Sequence, residues 1–376
     1  MKKLLAVITS MATVAALTSC GSTKKEEKKT IGIAMPASEL ERWNSDGEYL
    51  KSEFEAAGYD VELVYSNNDA AKQNNDLIKL ISDKVDLLLV AAVDGTKISD
   101  TLDSAKTADI PIVAYDRLIM KTSAVNYYIS FDNYAVGKLQ AEFVKDKLDL
   151  KNSSSTYNIE FIGGDPIDNN ARYFFDGAYE TLQPYIESGK LNIPSGKNTL
   201  EQVATKDWTT ANAESNMKST LSSYYTTKTL DVALCSNDST ALGVTKAIES
   251  DYKGSNAPII TGQDGDAENL RNIVDGKQSM TVYKNLHDEA KVAFEVCKTI
   301  LSDETPAASL VDKLDVQTKF DTDSYNNGTK YIQSYLLEPT VITADNLQLL
   351  VNTGLYKWDS SNKYLELVNA TEVPTT

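Results

Sequence analysis

The chain has 376 residues, a formal net charge of −17 and 41% hydrophobic residues. That length suits about two domains, each large enough to bury a core of its own. The 54 acidic against 37 basic residues argue against nucleic acid or an anionic lipid surface as ligand, because both reward clustered lysine and arginine.

Taken in chain order, the first feature is Lys2 and Lys3 followed by an apolar run from Leu4 to Leu17 that closes on Leu17-Thr18-Ser19-Cys20. The run falls short of the roughly 20 residues that a spanning helix needs. Its basic start and small-residue finish read as a lipoprotein signal peptide over residues 1–19. Cys20 is then the mature N terminus and the lipidation site, and residues 20–29 form a solvated tether. A simple cleaved signal is the alternative. Either way the expected location is extracytoplasmic. With the anchor, the protein is held to a membrane, in a periplasm or on the outer face of the cell membrane.

From Thr30 the chain alternates short aliphatic runs with longer amphipathic segments. Strands are predicted at Ile31 to Met35, Val61 to Tyr65, Leu87 to Ala92 and Ile110 to Ala114. Between them Leu77, Leu80 and Ile81, or Ile98, Leu102 and Ala105, recur at helical spacing. The rhythm returns at Ile159 to Ile162, Val232 to Cys235, Ile259 to Thr261 and Met280 to Tyr283, before a helix from Leu286 to Ser302. Thr329 to Ile332 and Leu336 to Ile342 read as strands without long helices between them. Continuous apolar strands flanked by helices imply parallel sheets covered on both faces. The expected fold is therefore α/β, with two doubly wound parallel-sheet lobes joined by a multi-strand hinge. Crossovers are expected near Phe131 to Tyr134, near Gly262 to Asp266 and after Ser302. These boundaries assign 30–132 and 265–304 to an N-terminal lobe, and 133–264 and 305–376 to a C-terminal lobe. Beyond Cys20, Cys235 and Cys297 are read as buried free thiols.

Ligands of open α/β sheets collect beyond the carboxyl ends of the strands, and there the chain is rich in hydrogen-bonding groups. One lobe offers Glu41, Arg42, Trp43, Asp94, Asp116, Arg117, Asp132 and Asn133. The other offers Gly163, Gly164, Asp165, Asp168, Asn169, Asn170, Asn237, Asp238, Gln263 and Asp264, with Lys284 ending the strand beyond. Facing rims of amides, carboxylates and guanidiniums, with Trp43 and Trp208 as apolar surfaces, suit a small polyhydroxylated molecule. Each sugar hydroxyl both donates and accepts, while the C–H faces of the ring are weakly apolar. Individually these residues also have architectural readings: Arg117 beside Asp116 as an ion pair, Asn237 and Asp238 as a helix cap, Trp208 as core.

The strings Leu40-Glu41-Arg42-Trp43, Ala114-Tyr115-Asp116-Arg117, Ser130-Phe131-Asp132-Asn133, Asp168-Asn169-Asn170-Ala171, Ser236-Asn237-Asp238, Gly262-Gln263-Asp264 and Thr281-Val282-Tyr283-Lys284 carry a family resemblance. In order and spacing, from about residue 30 to 350, the chain resembles the type I periplasmic sugar-binding proteins that feed ABC transporters, in the xylose-binding and multiple-sugar-binding branch. The resemblance implies that Arg42, Arg117, Asn170, Asn237, Asp264 and Lys284 hydrogen-bond a monosaccharide, with Trp43 and Trp208 sandwiching it. Asp116, Asp132 and Asn169 are implied as ligands or as groups that orient the arginines. Ser334-Tyr335-Leu336-Leu337-Glu338-Pro339 looks closer to the multiple-sugar branch. Two departures are Asp165, where a small polar residue is expected, and the segment Lys206-Asp207-Trp208, which does not align.

The implied partners are a monosaccharide such as xylose, glucose or a related aldose, an ABC permease, and the membrane through the lipid anchor. A sensor receptor is a further partner that the same closed form could serve. No cofactor, metal or nucleic acid is expected: Gly163-Gly164-Asp165-Pro166 lacks the lysine of a phosphate loop, and Asp321-Thr322-Asp323 lacks the glycine and terminal glutamate of a calcium loop. An exported glycosidase is the enzymatic rival, since it requires only two carboxylates about a sugar. Against it, Arg117 beside Asp116 favours an ionised carboxylate, whereas a general acid needs a raised pKa. His287, the one histidine, lies away from the motifs.

Overall fold

The computed structural model describes residues 28–39 and 41–368. The signal segment, Cys20 and all of the tether before residue 28 lie outside the described residues, as does Leu40. The first half of the chain runs β1 (Thr30–Met35), α1 (Glu41–Ala56), β2 (Asp60–Tyr65), α2 (Ala70–Ser82), β3 (Leu87–Val90), α3 (Ser99–Thr107), β4 (Ile112–Tyr115), β5 (Tyr127–Phe131), α4 (Asn133–Lys147), β6 (Tyr157–Ile162), α5 (Asn169–Glu187), β7 (Leu191–Asn192), α6 (Leu200–Val203) and α7 (Thr210–Tyr224). It continues through β8 (Val232–Cys235), α8 (Asp238–Asp251), β9 (Ile259–Ile260), β10 (Gln263–Asp264), α9 (Ala267–Val274), β11 (Thr281–Tyr283), α10 (Leu286–Leu301), β12 (Thr318–Asp321), β13 (Gln333–Leu337), β14 (Thr340–Ile342), α11 (Gln348–Asn352), β15 (Tyr356–Trp358) and β16 (Leu365–Leu367).

The first lobe is a seven-stranded sheet in the order β12-β13-β5-β4-β3-β1-β2. Only the β12–β13 edge is antiparallel. Leu87, Leu89, Val113 and Ile129 point to one face, where α1 and α10 cover them; Leu88, Val90 and Ala114 point to the other, packed on residues of α2 and α3. Runs buried on both faces are the reason these strands read as continuous apolar stretches. The second lobe is built on the parallel order β7-β6-β8-β9. From there, bonds from Ser279 N to Ile260 O (2.9 Å) and from Val282 N to Gly262 O (3.0 Å) lead into the β10-β11-β14 group. Helices α4 and α5 cross closely through Gly137 and Gly177, where an added Cβ would meet the opposite backbone.

The chain passes between sheets after β5, between β11 and α10, and between β13 and β14. Two of the boundaries expected from sequence are thereby corrected. Residues 265–284 belong with the second lobe: Leu270 and Ile273 of α9 pack with Tyr283 and Ile342, and Met280 and Val282 with Val136 and Phe174. Residues 318–337 belong to the first sheet, because β13 pairs in parallel register with β5, Leu336 beside Ser130 and Leu337 beside Phe131. The polar cluster at Gly262 to Asp266 marks a strand end at the cleft and not a change of lobe. The strand expected at Thr329 to Ile332 begins instead at Gln333, after the isolated bridge of Asn326 with Tyr331. Cys235 and Cys297 are buried free thiols, one in β8 and one in α10. Among the described residues no helix is long and apolar enough to cross a membrane.

Candidate functional site

The carboxyl ends of β1 and β4 in one lobe, and of β6, β8, β10 and β11 in the other, converge on a cavity of about 250 Å³. At about 30 Å³ per water, that is roughly eight water volumes, room for one small molecule. Its walls carry Arg42, Trp43, Asp116 and Arg117 from the first lobe. Asp168, Asn170, Phe174, Trp208, Asn237, Gln263, Asp264 and Lys284 face them.

Charge is concentrated here and largely shielded from solvent. Arg42, on the first turn of α1, pairs closely with Asp116 and lies 3.8 Å from Asp264 across the cleft. Lys284, only 1% exposed, sits 3.4 Å from Asp264 and 3.8 Å from Asp116. Arg117 pairs with Asp168 of the other lobe at 3.1 Å and donates to the carbonyls of Ala92 and Val93 at 3.0 and 3.3 Å. Burial opposes ionisation of Asp116, yet the guanidinium of Arg42 and the ammonium of Lys284 outweigh it and hold the carboxyl below its usual range. For Asp168 burial wins over Arg117, and its pKa is raised.

Several buried polar atoms of the lining make no hydrogen bond within the protein: Nε of Arg42, Nε1 of Trp208, Oε1 of Gln263 and Oδ1 of Asp264. Buried polar groups are rarely left so. This set mixes donors with acceptors.

The two tryptophans differ in setting. Trp43 is 3% exposed and part of the first-lobe core, with the guanidiniums of Arg42 and Arg117 over its ring at 4.5 and 5.1 Å. Trp208 comes from the segment that did not align, in which Asp207 and Trp208 are both left-handed, at φ 56° and 57°. The carboxylate of Asp165 holds this turn, accepting from Ile167 N at 3.0 Å and Asp207 N at 2.7 Å. The two departures from the family pattern are thus one device, in which an acid after the glycines ties down the loop that presents the indole. Gly164 completes it, since an added Cβ would overlap the Trp208 ring. Phe174 meets that ring edge-on at 6.2 Å.

Asp264 is also left-handed, at φ 108°, a conformation costly for a side chain with a Cβ. Asp238 holds the following residues: its buried carboxylate accepts from Gly265 N (2.8 Å), Asp266 N (2.9 Å), Gln278 Nε2 (2.9 Å) and Thr281 Oγ1 (3.0 Å). Tyr356 of the C-terminal hairpin donates to the carbonyl of Gly265 at 2.9 Å.

Of the residues singled out by sequence, the structure brings Arg42, Trp43, Asp116, Arg117, Asn170, Trp208, Asn237, Asp264 and Lys284 to one cavity. Asp132 and Asn169 are not on its wall, and their assignment to the site is corrected. Asp132 caps α4, accepting from Ala135 N at 3.0 Å. Asn169 opens α5, and its side chain is directed to Tyr173 while the next residue points inward. Asp94 is spent on Thr96, whose amide and hydroxyl it accepts at 2.8 and 2.7 Å. Asp168, Gln263 and Phe174 were not among the assigned site residues. The first two follow strand ends, and Phe174 lies one helical turn after Asn170, so position carried a signal for all three.

The chain is similar to known proteins over most of its length. A family model described as periplasmic binding protein domain matches residues 31–305. The multiple sugar-binding periplasmic receptor ChvE of Rhizobium radiobacter is 38% identical over 89% of this chain and 92% of its own length. The D-xylose-binding periplasmic protein of Escherichia coli is 30% identical over 93% of this chain and 97% of its own. Among solved structures, an ABC transporter solute-binding protein from Clostridium phytofermentans with bound β-D-glucose superposes with a TM-score of 0.82 at 41% identity, covering 89% of this chain and 99% of that one.

Proposed function

This chain belongs to the type I periplasmic sugar-binding proteins, which are receptors and not enzymes, and from that premise we propose that it captures a single aldose, glucose or xylose, in the cavity between its lobes. The observation that carries the reading is the set of buried donors and acceptors on one wall-to-wall cavity that make no hydrogen bond within the protein, on Arg42, Trp208, Gln263 and Asp264. A sugar hydroxyl can accept from the guanidinium or indole and donate to the carboxylate or amide oxygen with the same atom. Charge-assisted bonds of about 1.5–3 kcal/mol each suffice for micromolar binding, about −8 kcal/mol, after ordering costs.

In this reading Trp208 and Trp43 bound the ring faces, Arg42, Arg117, Asn170, Asn237, Asp264 and Lys284 bind hydroxyls or the ring oxygen, and Asp116 orients the two cations. The relatives that bind glucose and xylose support this choice of sugar. Capture presents a surface formed by both lobes, which an ABC permease reads. Acylation of Cys20, supported by the Leu17-Thr18-Ser19-Cys20 string, tethers the protein to the membrane. Relay of occupancy to a membrane receptor is the second reading, supported by the similarity to a protein named as a receptor.

A thermal-shift screen across pentoses, hexoses and uronic acids tests the ligand class. A sugar at 100 times its Kd stabilises the protein by about 2.7 kcal/mol, and a panel without any shift contradicts the reading. Detergent partitioning tests the anchor. Wild type enters the detergent phase and Cys20→Ala does not, whereas an aqueous wild type with an unmodified N terminus other than Cys20 contradicts acylation.

A further inference from the structure

Two carboxyl groups lie against Arg42 without lining the cavity. Asp46 follows it by one turn of α1, and Glu289 projects from α10. They are 1% and 0% exposed; neither carboxyl oxygen of Glu289 accepts a hydrogen bond, and the hydroxyl of Tyr115 faces Asp46. Among the described residues, their ion-pair partner is the same guanidinium, 3.8 Å from Asp46 and 3.5 Å from Glu289.

The groups that face this pair are Arg42 on α1, Tyr65 at the end of β2, Tyr115 and Asp116 at the end of β4, Tyr128 on β5 and Lys284 after β11. Asp46, Asp116, Asp264 and Glu289 therefore share two cations, Arg42 and Lys284. Two buried carboxyl groups that share one guanidinium with the ionised Asp116 are disfavoured as a pair of carboxylates. Burial, followed by the Asp116 charge, pushes Glu289 well above its usual range, and burial pushes Asp46 up to about 7.

We propose that Asp46 and Glu289 are positioning residues that act through Arg42. With both acids protonated, the guanidinium is left to Asp116 and the cavity; once Asp46 loses its proton, its carboxylate draws Arg42 back along α1 and sugar binding weakens. No bond to sugar is made by either residue. The inference rests on the reading of the cavity as a sugar site, and it adds a dependence of affinity on pH to a ligand that carries no charge. Binding commits Arg42 to the cleft, so the bound protein holds the proton more tightly than the free one. By linkage, affinity is constant at low pH, falls through the free protein's titration and levels off above that of the complex.

The test is isothermal calorimetry with D-glucose and D-xylose from pH 5.5 to 9, on wild type, Asp46→Asn and Glu289→Gln, with circular dichroism as the folding control. Wild-type affinity is expected to fall about tenfold, the consequence of a shift of about one pH unit on binding. Asp46→Asn mimics the protonated acid, so the folded variant retains the low-pH affinity throughout, whereas Glu289→Gln removes a neighbouring acid and moves the fall in affinity to lower pH. Folded Asp46→Asn that keeps the wild-type slope overturns the proposal, and so does a wild type whose affinity is flat. Titration of the Asp46 and Glu289 side-chain carbons by NMR in the sugar-free protein decides the pair independently. One proton retained near neutrality supports the proposal, and ionisation of both near the ordinary value of about 4 overturns it. If no sugar binds wild type, the reading of the cavity fails while this titration still answers for the pair.

Discussion

The side-chain amide of Asn170, at the start of α5 in the second lobe, donates to the main-chain carbonyl of Asp116 in the first at 2.8 Å. That carbonyl also accepts from Tyr128 and Ser130 of its own lobe at 2.7 and 2.9 Å. The bond ties the lobes together at the back of the cleft without being needed to satisfy either lobe alone.

Asn170→Ala is therefore expected to weaken sugar binding about 2- to 10-fold, the worth of one hydrogen bond of about 0.5–1.5 kcal/mol, with little change in the melting of sugar-free protein. Asn170→Asp sets a carboxylate against the carbonyl oxygen and weakens binding further. Calorimetry of both beside scanning calorimetry checks this, and wild-type affinity in Asn170→Asp would remove the role given to the bond.

Gly164→Ala displaces the Trp208 indole, so a folded variant should lose about tenfold in affinity, comparable to loss of one aromatic face. Adding Gly164→Ala to Trp208→Ala should cost little more, because both act on one contact. Additive losses in the double variant would show that the glycine acts elsewhere.

Asp238→Ala strands the amides of Gly265 and Asp266, at about 1–3 kcal/mol each, and frees the strained backbone of Asp264. Lower melting and weaker binding are expected together. Hydrogen exchange should quicken at Gly265 and Asp266, and unchanged protection there would separate Asp238 from the placement of Asp264.

The sole histidine gives a pH prediction of known sign. His287 stacks on Tyr49 at 4.2 Å, and burial, then Lys291, lowers its pKa to about 4. The unfolded chain, at about 6.5, binds the proton first. Stability is lost as pH falls from 6.5 to 4 and is insensitive to this group outside that window. The difference in melting between wild type and His287→Phe should change across that window, and a constant difference would contradict the lowered pKa.

Much of this was legible in the sequence for a physical reason. Parallel strands buried on both faces must be apolar throughout, as in Leu87–Val90, and the polar residues that end them must gather at one edge, which is how Arg42, Asp116, Arg117, Asn237, Asp264 and Lys284 were found. The lobe boundaries were harder to read. Gln333–Leu337 joins the first sheet beside Tyr127–Phe131 across some 200 residues of chain, and no local pattern records such a pairing. Asp132 and Asn169 show a second limit, since a residue at a strand end also begins a helix, and capping α4 directs the Asp132 carboxylate to its own backbone. Asp46 and Glu289 were invisible because they look like surface acids on amphipathic helices until α1 and α10 pack together.

The most direct test of the central claim is calorimetry of D-glucose and D-xylose against wild type, Arg117→Ala and Asp264→Ala, with circular dichroism confirming the fold of each. Wild type is expected to bind one sugar per chain. Each variant is expected to lose about 30- to 1,000-fold in affinity, because a charged partner is removed from a dehydrated cleft at about 2–4 kcal/mol. Folded variants that bind the sugar with wild-type affinity would contradict the claim.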